Sequence, residues 1–268
     1  RGTKKQCGQN YTSGTRRTEF AEAQDFEEVP IEAMIEREPI TVVCSSMGWI
    51  RAMNGHIDLT RELKFKDGDG PGLIFHAQTT DKLLALASNG RFYTILASSL
   101  PGGRGMGEPL RLMVDIPDEA LIVNLITFRP GQKLLVASST GDGFIVTHDD
   151  VVAQTKSGKQ ILNTRGDAVA KICHDICGDH VAVVGENRKV LIFPICEIPE
   201  MVRGKGVRLQ KYKEGGLSDI TTFDLSDGLS WLDPAGRTRT ETNLEEWIGK
   251  RATAGRMAPR GFPRNKKF

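Results

Sequence analysis

The sequence predicts an all-β, propeller-like fold built from five repeated units. Two observations carry this prediction: a hairpin pattern that recurs along the chain, and a nearly constant distance between successive hairpin turns. The composition agrees, because 29 glycines against 12 prolines favour many tight turns. Aromatic residues make up only 6%, so the core is expected to consist mainly of Val, Ile, Leu and Ala.

The clearest repeat is Asp81–Leu96, an apolar strand, a turn at Gly90 and a second apolar strand. This pattern is typical of a β-hairpin. The other predicted hairpins are Ile40–Val43 with Trp49–Ala52, Gln132–Leu135 with Phe144–Val146, His180–Val184 with Val190–Phe193, and Leu229–Leu232 with Arg237–Thr240. Turns at positions 48, 90, 141, 187 and 236 are 42, 51, 46 and 49 residues apart. That spacing fits four-stranded blades, so residues 40–268 are expected to form one five-bladed domain.

Residues 1–39 read as a separate linker. The start is basic, and residues 19–38 then hold eight acids and one base, Arg37. Pro30 suits the first turn of a short helix with Ile31, Met34 and Ile35 on one face. We expect a linker whose helix docks on the first unit. An acidic regulatory segment that competes for the binding surface is the alternative.

Composition excludes several classes of protein. Hydrophobic residues make up 39% and charged residues 26%, which is typical of a folded globular chain. Apolar stretches such as Leu121–Ile126 are too short to span a bilayer. Five cysteines, an odd number, favour a reducing compartment over a disulfide scaffold. The chain opens at Arg1 with no signal peptide, so we expect a cytoplasmic fragment of a larger protein.

Charge is distributed unevenly. Residues 1–200 hold 22 Lys and Arg against 26 Asp and Glu, whereas residues 201–268 hold 14 against 8. The net charge therefore changes from −4 to +6, although the whole chain carries only +2. A polyanion could bind this last quarter, and a solvated basic tail is the alternative.

Glycine-containing basic loops follow four of the hairpins at a fixed phase. The loops are residues 103–107, 156–159, 203–208 and 251–256, and the distance from hairpin turn to loop glycine is 17 or 19 residues. A constant phase places each loop at an equivalent corner of its blade. Glycine lets backbone N–H groups approach a phosphate while Arg and Lys supply charge. The candidate DNA-binding residues are Arg51, Arg104, Lys156, Lys159, Arg203, Lys205, Arg208, Lys211, Arg256 and Arg260.

Catalytic and metal sites are not indicated. The glycines at 103, 105 and 107 match neither a dinucleotide fingerprint nor a P-loop. The three-residue gap between Cys173 and Cys177 is not the spacing of a zinc knuckle. His148 stands before Asp149 and Asp150 just after a predicted strand, where polar turn residues are common. We therefore expect no catalytic residue, metal or cofactor in this chain.

The residues resemble a known family. Ile40–His56, Leu100–Leu110 and Gly141–Phe144 are similar to the first three blades of the C-terminal domain of bacterial topoisomerase IV A subunits. Ile198–Gly206 is shared more widely with gyrase A subunits, and the ending from Gly215 resembles the α-proteobacterial branch. The resemblance covers residues 31–268.

This resemblance implies a β-pinwheel, in which blades exchange a strand with a neighbour and double-stranded DNA bends around a basic outer rim. It implies two partners outside this chain: the catalytic core of the same polypeptide and, through it, the topoisomerase IV B subunit. Those parts are expected to use ATP and Mg²⁺. The protein is expected to be associated with the nucleoid. Tyr11 does not match the family's active-site context. The glutamine- and arginine-rich box of gyrase is missing, with Arg203–Gly206 its nearest relative, so modest bending is expected. Gyrase-type chiral wrapping and a protein-interaction scaffold are the alternatives.

Overall fold

A computed structural model of the chain describes residues 36–233 and 235–268. The strands are β1 (Pro39–Ser45), β2 (Trp49–Asn54), β3 (Pro71–Gln78), β4 (Lys82–Ala87), β5 (Arg91–Leu96), β6 (Glu108–Pro109), β7 (Ile122–Thr127), β8 (Lys133–Ser138), β9 (Asp142–Thr147), β10 (Lys159–Gln160), β11 (Ala170–Asp175), β12 (His180–Gly185), β13 (Lys189–Pro194), β14 (Val207–Arg208), β15 (Leu217–Phe223), β16 (Leu229–Leu232), β17 (Thr238–Glu241) and β18 (Arg256–Met257).

Helical structure in the described residues is limited to single turns. One four-residue α-helix, α1, spans His148–Val151 and is capped by the Thr147 hydroxyl, which accepts from the Asp150 amide. The three-residue 3-10 helices are Ala97–Ser99, Leu110–Leu112, Ile195–Glu197 and Leu225–Asp227. The helix predicted around Ile31 lies outside the described residues. Across the described part, no helix has the length and apolar character needed to cross a membrane.

The strands form four antiparallel four-stranded sheets, in the orders β3-β1-β2-β6, β10-β5-β4-β7, β11-β8-β9-β14 and β15-β12-β13-β18. We call these blades 1 to 4. All five predicted hairpins are present, and the all-β fold with four-stranded blades is confirmed. The fifth unit is smaller than the others, because β16 and β17 pair only with each other in the described residues. In the described residues, no strand of the fifth unit pairs with a strand of blade 1.

Neighbouring blades exchange a strand. Each blade takes its fourth strand from the chain that follows the next hairpin: β6 comes after β5 yet pairs with β2 of blade 1. In the same way β10 joins β5, β14 joins β9, and β18 joins β13. The exchanged strands have only two residues each, so most of every sheet is still made locally.

The core lies between consecutive blades, because the central strands are buried on both faces. In β4, Leu83, Ala85 and Ala87 pack with blade 1, whereas Leu84 and Leu86 pack with blade 3. Side chains alternate across a strand, so one continuous apolar run supplies two interfaces. The same alternation in β8 and β12 joins blade 3 to blade 4 and blade 4 to the fifth unit.

One edge of each of blades 1 to 4 faces a neighbouring blade. Strand β7 contacts β3 and β11, and β11 contacts β15, so the third-strand edges converge along the inside of the stack. The exchanged strands β6, β10, β14 and β18 lie at the opposite edge of each sheet. They therefore line the outside, where the chain enters from the basic loops.

Candidate nucleic-acid interface

Each basic loop docks on its blade through one glycine. Gly107, Gly158, Gly206 and Gly255 all have positive φ, between 70° and 87°. A Cβ at any of them would lie less than 3.0 Å from the carbonyl oxygen of the second residue of a hairpin strand: Ile50, Phe92, Gly143 or Val190. The four loops thus occupy equivalent corners, as their phase in the sequence predicted, and glycine is required by both φ and contact.

The two residues after each glycine form the exchanged strand. The first pairs with the second residue of the hairpin strand, as in Lys159 with Phe92 and Arg256 with Val190. At this position blades 1 to 4 carry Glu108, Lys159, Val207 and Arg256. The backbone is therefore repeated more faithfully than the charge, and blade 1 has an acid where blades 2 and 4 have a base.

Backbone hydrogen bonds join successive loops. The Asp115 amide, beyond β6, donates to the Lys156 carbonyl at 2.9 Å. The Asn163 amide, beyond β10, donates to Gly204 at 2.8 Å, and the Lys211 amide, beyond β14, donates to Thr253 at 2.9 Å. Each loop is thus tied to the chain leaving the preceding corner. The corners form one continuous row, which we call the basic rim: residues 103–109, 154–160, 202–211 and 250–257.

Most predicted cations are exposed on or beside this rim. Lys159 donates to the Asp150 carbonyl, which leaves its charge uncompensated. Within the described residues, no acidic partner is found for the other exposed cations, which are Arg104, Lys156, Arg203, Lys211, Arg256 and Arg260. Arg260 follows β18 and extends the row toward the fifth unit. Seven unneutralised positive charges are thus presented to solvent.

Lys205 and Arg208 differ because they share a buried acid. Asp142 is 4% exposed, and its two carboxylate oxygens lie 3.1 Å from Lys205 Nζ and 2.9 Å from Arg208 Nε. Thr140 Oγ1 also donates to this carboxylate at 3.2 Å. The two cations remain 47% and 43% exposed. This corner therefore keeps a net charge of about +1 rather than +2.

Arg51 does not fit the prediction of a phosphate contact. Its side chain is buried, at 6% exposure, and its guanidinium donates to the carbonyl of Gly105 and, at 2.8 Å, to that of Lys64. Its carbon Cζ also lies 5.8 Å from the centre of the Phe65 ring. Arg51 sits in a β-strand that packs under the first loop, so it anchors that loop instead of facing solvent.

Residues 55–70 complete this corner of blade 1. In later repeats, this part of the chain carries the strand that joins the preceding blade. Among the described residues no blade precedes blade 1, so residues 55–70 have no such sheet to join. The segment folds back instead: Lys66 Nζ lies 3.4 Å from the centre of the Trp49 ring, and the Ser46 amide donates to Gly70. This explains why the first repeat departs from the common spacing.

The candidate list omits three bases on or beside the rim, although one of them, Arg251, stands in the predicted fourth loop. Arg91 opens β5 and donates to the Ser157 carbonyl at 2.7 Å, while Arg251 donates to the Arg208 carbonyl at 2.8 Å. Arg165 is exposed in the connection after β10. The repeat could have revealed Arg91, because it directly follows the hairpin turn at Gly90 and so lies next to the loop that docks there. Arg165 carries no such signal, because its position depends on how two blades pack.

The rejected catalytic candidates have structural roles. His148 is fully buried, its Nδ1 accepts from the Arg129 amide at 3.1 Å, and its Nε2 lies 2.8 Å from Asp175 Oδ1. Both ring nitrogens are engaged, so neither is available to a nucleophile. Burial raises the pKa of Cys173 far above its ordinary value, which suits a core thiol. In the described residues, no group of three or more His, Cys, Asp and Glu is placed to hold a metal.

Comparisons with known proteins agree with this geometry. A family model described as the DNA gyrase C-terminal domain, beta-propeller, matches residues 81–129, 132–172 and 179–221, the three middle repeats. The A subunit of DNA topoisomerase 4 from Caulobacter vibrioides is 48% identical over 258 residues, 96% of this chain and 34% of that protein. The chain belongs to the family of C-terminal domains found in gyrase and topoisomerase IV A subunits.

Other members of this family are similarly close. The A subunit of DNA topoisomerase 4 from Rickettsia bellii is 45% identical over 262 residues, which cover 97% of this chain and 35% of that protein. The solved C-terminal domain of E. coli ParC superposes with a TM-score of 0.72 at 28% identity, covering 85% of this chain and 96% of that one. The chain therefore spans about a third of the curated relatives and nearly all of the isolated domain.

Proposed function

We propose that this chain binds double-stranded DNA without sequence specificity along the basic rim and bends it modestly. The observation that carries the proposal is the row of corners joined by backbone hydrogen bonds, which sets exposed, unneutralised cations in series. Phosphates are spaced regularly along DNA and carry no sequence information, so a repeated loop suits the backbone rather than base edges.

The bound segment would be presented to a catalytic core elsewhere in the same polypeptide. The curated relatives are named as A subunits of DNA topoisomerase 4, and the chain matches about a third of their length. We infer that the whole protein passes DNA strands with ATP and a B subunit, and that this domain tunes which crossings are chosen. Catalysis is assigned to parts outside this chain.

Fluorescence anisotropy on a short labelled duplex over a salt series tests DNA binding. Neutralising about six phosphates gives a slope of log affinity against log salt near −5, so a fourfold rise in salt costs roughly a thousandfold in affinity. Replacing Lys156 and Arg203 with alanine should bring the slope closer to zero by about 1.8, since each lost contact contributes about 0.9. An affinity that does not change with salt would refute the proposal.

A matched control removes two cations away from the rim. Arg129 follows β7 on the inner edge, and Lys133 pairs with Glu200 at the start of β8, at the end of the hairpin opposite the loops. The double alanine variant changes net charge equally but should leave the slope unchanged. Equal effects of both pairs would mean that binding follows net charge and that the rim has no special role.

Ligation of nicked circles separates bending from gyrase-type wrapping. Modest bending leaves the linking number nearly unchanged when the nick is sealed in the presence of the domain. A large change of one sign would favour chiral wrapping instead. A protein scaffold that binds no DNA is the remaining alternative, and it predicts no anisotropy change at any salt concentration.

A further inference from the structure

A small pocket with basic residues in its lining opens on the rim where blades 2 and 3 meet. It has a volume of about 100 Å³ and is formed by three chain segments: the β8–β9 turn, residues 163–168, and the third loop with β14. Its lining residues include the bases Arg165, Lys205 and Arg208, together with Ser138, Thr140, Thr164 and Asn163. Space for several water-sized atoms also accommodates a tetrahedral phosphate group.

The charge of the pocket favours an anion. Three bases face one acid, Asp142, so the lining carries a net charge of about +2. The exposed Asp167 lies two residues from Arg165 but is not part of the lining. A cation would meet net repulsion here, whereas an anion would meet three positive groups.

Asp142 positions two of these bases. It accepts from Arg208 through Nε, and no contact in the described residues uses the two terminal nitrogens of that guanidinium. Lys205 Nζ forms an ion pair with the same carboxylate, at 3.1 Å. Both side chains are thereby held side by side over a buried acid while their remaining donors stay available. Thr140 satisfies the carboxylate further, which fixes its orientation.

Backbone hydrogen bonds hold together the chain segments that form the pocket. The Asn163 amide donates to Gly204 at 2.8 Å, and the Gly204 amide donates to Ile161 at 3.0 Å. These bonds tie the segment carrying Arg165 to the loop carrying Lys205. The bases come from different segments of the chain but are held in one frame, so little ordering is needed when an anion binds.

We propose that this pocket is a phosphate-binding subsite, in which Asp142 positions Lys205 and Arg208 as a clamp and Arg165 closes the third side. The proposal deepens the DNA-binding function proposed above and names the junction of blades 2 and 3 as its strongest single phosphate contact. It also gives Lys205 and Arg208 a role in phosphate binding, although their pairing with Asp142 reduces the net positive charge of this corner.

The first test uses Arg208→Ala in DNA binding. Loss of one ordinary phosphate contact at 0.1 M salt costs up to about eightfold in affinity. Arg208→Ala should cost more, on the order of twentyfold, because it also leaves Asp142 less neutralised beside the phosphate. Adding Asp142→Asn to this variant should then recover about threefold in affinity, since the uncompensated negative charge is gone.

The matched control is Arg239→Ala. Arg239 also pairs through Nε with a poorly exposed acid, Asp233, at 3.1 Å, but in the separate sheet of the fifth unit. It should cost clearly less than Arg208→Ala and gain nothing from Asp233→Asn. If Arg208→Ala costs no more than this control, or if Asp142→Asn gives no recovery, the subsite is wrong even when wild-type DNA binding is intact.

The second test uses inorganic phosphate without DNA, so that it does not depend on the proposed function. Titration into ¹⁵N-labelled protein should shift the amides of Thr140, Asn163 and Lys205 along one saturable curve. Arg165→Ala should weaken that curve several-fold. Shifts spread evenly over all four loops would indicate general anion attraction and overturn the subsite. A lack of salt-dependent DNA affinity alongside saturable phosphate binding would instead refute only the DNA proposal.

Discussion

Replacing Gly206 with alanine should destabilise the third corner far more than the same change at an open glycine. Gly206 has φ +79°, and an added Cβ would lie within 3.0 Å of three backbone atoms of Gly143. The left-handed conformation alone costs an alanine about 1 kcal/mol. Forcing two backbones apart adds roughly 1–3 kcal/mol, since no flexible side chain can move away. The expected total is about 2–4 kcal/mol.

Gly131 supplies the control for this prediction. Its φ is +73°, but nothing lies within 4 Å of an added Cβ, so Gly131→Ala should cost only about 1 kcal/mol. Urea unfolding followed by circular dichroism gives the global change. Hydrogen exchange of the Leu209 amide, which donates to Gly141 at 2.8 Å, reports on the corner itself. Equal costs at both glycines would refute the idea that close docking, rather than φ, fixes the loop.

Three further predictions concern single groups. Arg51→Met should lower the free energy of unfolding by about 1–3 kcal/mol, because two loop carbonyls lose their donors, and should leave the salt slope of DNA binding unchanged. In a Cys7→Ser chain, a thiol reagent at pH 8 should modify the exposed Cys177 and Cys196 rapidly. The buried Cys44, whose pKa burial raises to about 11, and the buried Cys173 should react only after unfolding. Immediate reaction of all four thiols would contradict this burial. The Arg237 amide lowers the pKa of Asp233 below its ordinary 3.8. The ionised carboxylate therefore stabilises the fifth hairpin above pH 3.8, and this stabilisation is lost as the pH falls through the lowered pKa, which Trp231 fluorescence should report. Asp233→Asn should abolish that acid-dependent fluorescence change, and an unchanged transition would refute the assignment.

The number and position of the hairpins could be predicted because they depend on local patterns. Burial of both faces of a strand such as β4 needs a continuous apolar run, and a tight turn needs a residue that tolerates positive φ, as at Gly90. The phase between turn and loop glycine was equally visible, since the exchanged strand must pair at a fixed distance from the hairpin. Because these constraints repeat in each unit, the pattern can be recognised in the sequence.

The state of each charged side chain could not be predicted in the same way. Arg51 and Arg104 belong to the same blade corner, yet one is buried against Phe65 and the other is exposed. Asp142 begins a strand at the position that Arg91 and Lys189 occupy in other blades, and only the fold shows that it holds Lys205 and Arg208. Charge carries no periodic signature, so pairing between distant residues leaves no trace in the pattern.

The sequence by itself determined the all-β class, the repeat and the family, because these follow from apolar periodicity, glycine spacing and motifs within one repeat. Only the tertiary structure decided that successive corners are joined into one rim, that the last unit has two strands among the described residues, and that Arg165 and Arg208 line the same pocket. The reason is physical: local pattern sets each hairpin, whereas contacts between blades depend on how the hairpins stack.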